Sequence, residues 1–226
     1  MPSHTLLRCD AVLFDLDGVL IDSTAVVERH YRMFASRHGL DADALVADLH
    51  GRRMADIIAA ALPSLRGQAL ADECARFEAA EAADVDELAV IPGAAALTRE
   101  LTGRPWAVVT SGTTPVATRR LEAAGIAMPP VLITGESVGS GKPSPDPYLL
   151  AAERLGVDPA RCVVVEDAPA GVTAGLAAGA SVIGVATTVG ARELAAAHHV
   201  VDVLARLSTV RGDDGTWSIA IDERDG

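Results

Sequence analysis

Short, nearly unbroken apolar runs recur along the chain, at residues 11–15 (AVLFD), 107–110 (AVVT), 131–134 (VLIT), 162–166 (CVVVE) and 181–185 (SVIGV). Runs without polar alternation are characteristic of strands covered on both faces. Between them lie alanine-rich segments with helical spacing, at 115–124, 147–155 and 168–178. This alternation predicts an α/β fold, a doubly wound parallel sheet with helices on both sides. The stretch 24–90 interrupts it. That stretch has helical periodicity, many Ala, Glu and Arg residues and no convincing strand, and the alternation resumes after the turn Ile91-Pro92-Gly93. The pattern therefore predicts an all-helical insertion over 24–90 after the first strand, with 1–23 and 91–226 forming the core. Beyond Gly212 only a short strand around 217–221 is suggested.

Half of the 226 residues are apolar but only 3% are aromatic, so the core must be packed with Ala, Val, Leu and Ile. Such a chain is not disordered, because it has ample apolar surface to offset the entropy of ordering. Its net charge of −12 disfavours nucleic acid and anionic membranes as partners. The uncharged stretch 168–191 is broken by Pro169 and several glycines, and reads as a buried helix and strand rather than a membrane span. Cys9, Cys74 and Cys162 form no CxxC pair and read as thiols of a reducing compartment. The N-terminus meets charged residues too soon to hold the apolar core of a signal peptide. A cytoplasmic location and a monomer are expected.

Ligands of an open parallel sheet bind beyond the carboxyl ends of the strands. There the chain places Asp15 and Asp17, then Thr110-Ser111-Gly112, then Lys142 in a Gly/Ser/Pro loop, then Glu166 and Asp167. Lys142 is the single lysine; every other basic residue among the 19 is arginine. Asp15 and Asp17 leave a strand at spacing i, i+2 and are expected to face one way. With Glu166 and Asp167, four carboxyls converge and would repel. A hard divalent cation relieves that conflict, and an all-oxygen donor set suits Mg²⁺ rather than Zn²⁺. A lysine and hydroxyls beside it suit a phosphoryl group. With no Ser-His nucleophile pair in view, an aspartate nucleophile is the economical choice. Each feature alone has a plain explanation as a solvated turn, a helix cap or a surface lysine. Their joint placement at four strand ends is what points to one site.

Other features carry less. GESVGSGKP looks like a P-loop, but Gly135 is one residue too far from Lys142 and Pro143 stands where a metal-binding hydroxyl is needed. Gly171, Gly175 and Gly179 are expected to permit close helix–sheet packing. The six histidines, His198-His199 among them, show no metal-ligand spacing.

The segments FDLDGVLIDS, VVTSG, GKPSPDPY and VVVEDAPAG resemble the four motifs of the haloacid dehalogenase-like phosphatases, over nearly the whole chain. The resemblance implies a Rossmann-like core with a helical cap domain inserted after the first strand. It implies that Asp15 attacks phosphorus and that Asp17 protonates the leaving alcohol and then activates water. Mg²⁺ would be held by Asp15, the Asp17 backbone carbonyl, Glu166 and Asp167, with Asp167 the firmer ligand. Thr110 would be the motif-two hydroxyl, Ser111 and Gly112 would give neighbouring contacts, and Lys142 would hold nucleophile and phosphoryl oxygens. Closer similarity runs to glycerol-phosphate and 2-deoxyglucose-phosphate phosphatases, through DSTAVVERHYRMF, HGRRMADII and WAVVTSGT. This adds Arg53, with Arg52, His50 and Glu28, as candidate contacts to a small sugar or polyol phosphate; a solvated helix start is the alternative for the two arginines. A β-phosphoglucomutase-like enzyme is the nearest rival. Its early cap histidine would fall at Val27, with His30 one helical turn away. A dehalogenase would not need Asp17 and the metal carboxylates, and a phosphonatase would need a cap lysine that is absent here. A non-catalytic regulator on the same fold is a further alternative.

Overall fold

The computed structural model describes residues 4–47, 49, 52–213 and 215–222. The chain begins with β1 (His4–Arg8), β2 (Ala11–Phe14) and β3 (Ile21–Asp22). Four helices follow, α1 (Thr24–His38), α2 (Ala42–Val46), α3 (Met54–Ala61) and α4 (Gln68–Ala83), and then β4 (Ala89–Val90). The remainder runs α5 (Ala94–Glu100), β5 (Trp106–Val109), α6 (Thr114–Ala123), β6 (Val131–Ile133), α7 (Asp146–Leu155), β7 (Cys162–Glu166), α8 (Pro169–Ala177) and β8 (Ser181–Val185). It ends with β9 (His199–Val201), β10 (Leu207–Arg211) and β11 (Trp217–Asp222).

The main sheet has the order β6-β5-β2-β7-β8-β9, and every pairing in it is parallel. From β2 the chain moves to one side through β5 and β6, then crosses back to β7 on the other. The strand order therefore reverses at β2, and the crevice beyond its carboxyl end is where ligands bind in such sheets. Period-two alternation splits the core into two layers. Val12 and Phe14 pack on one face with Trp106, Val108 and Leu121, while Ala11 and Leu13 pack on the other with Val109, Tyr148 and Val164.

All five apolar runs are strands, though three stop short of their polar final residue. Asp15, Thr110 and Thr134 lie just past the ends of β2, β5 and β6. The antiparallel sheet β1-β11-β10 was only partly foreseen, through the expected strand near 217–221. Its outer strands are half-exposed, so they lack the unbroken apolar signal.

The helices of the insertion pack around Tyr31, Phe34, Ile58 and Phe77, with the Tyr31 and Phe77 rings 4.7 Å apart. The segment was expected to be wholly helical. Instead it is closed by a two-stranded antiparallel ribbon, with Ile21 opposite Val90 and Asp22 opposite Ala89. The ribbon brings both chain crossings side by side.

Of the three spaced glycines, two lie against the sheet and the third does not. A Cβ at Gly171 would strike the Glu166 carboxylate, and one at Gly175 would stand 3.0 Å from Val164 and Val182. Gly179 lies past α8 with φ +83°, a conformation L side chains avoid. Gly171 and Gly175 thus let α8 lie close on the sheet, and Gly179 serves the turn that follows. No helix among the described residues is long and apolar enough to cross a membrane.

Candidate active site

Lys142 is the centre of the site. Its Nζ donates to Asp15 Oδ1, lies 2.6 Å from Glu166 Oε1 and donates to the Val109 carbonyl at 3.0 Å. Burial opposes the ammonium charge, but Asp15 and Glu166 outweigh it and raise its pKa, so the lysine is a fixed cation. Glu166 ends β7 and is fully enclosed. Tyr148 from α7 donates its hydroxyl to Oε1 at 2.7 Å, and Oε2 accepts from the backbone N–H groups of Asp167 (3.1 Å) and Ala168 (3.3 Å).

Asp15, Glu166 and Asp167 each offer a carboxylate oxygen, all within 4.8 Å of one another. Burial pushes the Asp15 carboxyl well above the usual range, with Lys142 opposing and Glu166, Asp167 and Asp17 reinforcing. Asp167 is pushed up to about 7 by burial and then by Glu166, against the pull of the Thr188 hydroxyl. Three buried acids with one lysine are short of positive charge. The donors are hard oxygens, which fit a hard divalent cation. Gly18, at φ +84°, passes so close that any Cβ would collide with the Asp167 carboxylate and Thr188.

Asp17 lines the same cavity as Asp15 but stands outside the carboxylate cluster, which corrects the expectation that all four acids converge. Since β2 ends at Phe14, strand alternation no longer governs the chain at this point. Asp17 Oδ1 accepts from Ser23 Oγ at 2.7 Å and from Arg120 Nη1 at 2.6 Å, and its Oδ2 lies 3.4 Å from Thr110 Oγ1. Of the four carboxylates expected to converge, three meet. Thr110 is buried and accepts from the Gly112 N–H at 3.0 Å.

Above these groups is a cavity of about 120 Å³, closed on its far side by the inserted helices. The core contributes Asp15, Asp17, Thr110, Ser111, Gly112 and Lys142; the insertion contributes Val27, Glu28, Tyr31, Leu49, Arg52, Met54 and Glu81. Of the two candidate arginines, Arg52 lines this cavity. Arg53, the firmer expectation from sequence, is engaged elsewhere. It pairs with Asp56 at 2.7 Å and donates Nη1 to the Val138 (3.2 Å) and Gly139 (3.1 Å) carbonyls, ahead of the lysine loop. Gly141 gives it room, since a Cβ there would come within 2.9 Å of the Arg53 side chain. His50 lies outside the described residues.

Sequence reasoning missed Ser23, Tyr148, Glu81 and Arg120. Arg120 had a readable signal, a charge on the same helical stripe as Val116, Ala117 and Leu121. His30, the residue nearest the mutase position, faces away from the cavity. Its Nε2 lies 2.8 Å from Asp84 Oδ2, in a separate outer depression between α1 and the end of α4.

Known proteins resemble this chain over most of its length. Hexitol phosphatase A of Escherichia coli is 48% identical over 79% of this chain and 84% of its own. Glycerol-1-phosphate phosphohydrolase 2 of Saccharomyces cerevisiae is 38% identical, covering 80% and 76%. A crystal structure of CbbY from Rhodobacter sphaeroides in complex with phosphate superposes with a TM-score of 0.72 at 29% identity, over 87% of this chain and 95% of that one. A family profile described as a haloacid dehalogenase-like hydrolase matches residues 9–179. With the sheet order and the four strand-end motifs, this match establishes that the chain belongs to the haloacid dehalogenase-like hydrolase family.

Proposed function

We propose that this chain is a Mg²⁺-dependent phosphomonoesterase that hydrolyses a small sugar or polyol phosphate through an aspartyl-phosphate. The observation that carries this reading is the buried Lys142 ammonium shared by Asp15 and Glu166 beside three clustered carboxylates. Asp15 is the nucleophile. One of its oxygens bonds to phosphorus as the ester oxygen leaves, and Asp17 gives that oxygen a proton. Asp17 then takes a proton from water as the water oxygen attacks the same phosphorus, which releases phosphate and restores Asp15. Held by Asp15, the Asp17 backbone carbonyl, Glu166 and Asp167, Mg²⁺ would neutralise charge on the phosphoryl oxygens. Thr110, Ser111 and the Gly112 backbone orient those oxygens, and Lys142 holds the nucleophile while balancing its charge. Residues 24–90 serve as a cap, in which Arg52 and Glu28 face the substrate beyond its phosphate.

The substrate class is supported by the small cavity and by the names of relatives that act on hexitol and glycerol phosphates. Mutase chemistry is disfavoured because Val27 lines the cavity where a proton relay is needed, and His30 is held by Asp84 outside it. The test is a panel of polyol, hexose and deoxyhexose phosphates, each assayed with Mg²⁺ and with EDTA. Phosphate release is expected from at least one polyol or sugar phosphate, without isomerised product. It should be lost in EDTA, restored by Mg²⁺, and absent in Asp15→Asn. Activity that survives EDTA or the Asp15→Asn change would sink the reading.

A further inference from the structure

Arg120 is buried at 3% exposure on a helix of the core and is not itself part of the four strand-end motifs. Its guanidinium joins two carboxylates from opposite sides of the cavity. Nη1 donates to Asp17 Oδ1 at 2.6 Å, and Nη2 donates to Glu81 Oε1 at 2.8 Å. Glu81 belongs to α4, the longest helix of the insertion, and is itself almost fully buried. Arg120 Nε is buried with no hydrogen-bond partner. The two carboxylates therefore dictate where the fork sits, at the expense of its third donor edge.

A buried charge network of this kind adds little stability over apolar residues of the same volume. Its value lies in geometry. Guanidinium is rigid and planar, so its two Nη groups cannot reorient independently. Whatever moves Glu81 turns the fork, and with it the carboxylate of Asp17.

We propose that Arg120 is a positioning residue that ties the orientation of Asp17 to cap closure through Glu81. With the cap closed, Glu81 anchors one side of the fork and the other side aims Asp17; Ser23 fixes the same oxygen from just before α1. With the cap lifted, the fork loses one acceptor and Asp17 loses its aim. The proton donor is then aligned only while the cavity is shut against water. This inference rests on the phosphatase reading, in which Asp17 protonates the leaving group.

The test compares kcat/KM for 4-nitrophenyl phosphate and phenyl phosphate in holoenzyme carrying Glu81→Ala or Arg120→Gln. The two esters are nearly the same shape, but phenolate leaves poorly without a proton while 4-nitrophenolate leaves readily. Because kcat/KM covers events only up to departure of the leaving group, it isolates the acid role of Asp17 from its later role as base. A positioned general acid contributes on the order of 10²–10⁴-fold, so misaiming it should lower kcat/KM for phenyl phosphate by ~10–100-fold and for the nitrophenyl ester by no more than ~3-fold. Asp17→Asn sets the upper limit of this selectivity. Merely structural damage to the cap would lower both values equally, and that result, or no loss at all, overturns the proposal. Should Arg120→Gln fail to fold by circular dichroism, Glu81→Ala decides alone, since alanine suits its helical position. Asp15→Asn separates the two ideas. Its activity persisting defeats the phosphatase reading, whereas an inactive Asp15→Asn with equal losses at Glu81 defeats only the coupling.

Discussion

Lys142 illustrates how little freedom one side chain can have. Its ammonium is enclosed by Asp15, Glu166 and the Val109 carbonyl, with the Tyr148 ring centroid 5.4 Å away. Lys142→Arg keeps the charge but adds volume and a different donor geometry. Overpacking a closed site costs about 1–3 kcal/mol, and the displaced nucleophile should lower kcat by at least ~100-fold. A thermal melt together with steady-state kinetics reads both effects. The buried thiols give a second prediction. Burial pushes Cys9 up to about 11 and Cys162 up to about 12, so neither forms thiolate near neutral pH. A thiol reagent should label Cys74 first in the native protein and the other two only on unfolding, as mass mapping would show. Lys142 was legible because it is the only lysine in an arginine-rich chain. Arg120 carried a weaker signal, a charge on the buried stripe of α6, and only its partners Asp17 and Glu81 give that charge a role. Arg52 and Arg53 are adjacent, so spacing could not say which one turns into the cavity.

Among the elements, the inserted helices are braced at the base of α1. Arg29 donates to Asp84 at 2.8 Å through Nη2, and His30 contacts the same oxygen at 2.8 Å, tying α1 to the residue that ends α4. The Arg29 hydrogen bond, with smaller help from His30, holds the Asp84 carboxyl below its ordinary range against the opposing effect of burial. Folding thus favours the ionised form. The contribution is complete above the unfolded value of about 4 and disappears as pH falls through the lower folded value. Asp84→Asn should therefore lower Tm by roughly 2–4 °C near pH 7, with the difference from the parent shrinking between about pH 5 and pH 3. Unbroken apolar runs made the central strands readable, because burial on both faces leaves no room for polar alternation. The β3–β4 ribbon was not readable. Each of its strands is two residues long, and their pairing joins positions separated by the entire insertion.

At the scale of the molecule, the acidic surplus reaches into the site itself. Lys142 and Arg120 are already matched by Asp15, Glu166, Asp17 and Glu81, with Asp167 in addition. With a bound divalent cation, and with Asp17 carrying the proton it donates, that group of charges only balances and offers no positive surplus. An incoming phosphate ester therefore meets repulsion from a chain of charge −12. Screening should relieve it, and kcat/KM is expected to rise about two-fold between roughly 10 and 150 mM salt, measured by initial rates. A fall would show that Arg52 dominates the approach. The paired crossings at Ile21–Asp22 and Ala89–Val90 have a consequence for engineering. The insertion enters and leaves the core at a single doorway, so it can be exchanged as a cassette without cutting the reacting groups. Transplanted helices from a relative should bring their own substrate preference. The graft must keep a carboxylate where Glu81 stands, or the recipient's Arg120 is left holding one end of a broken linkage.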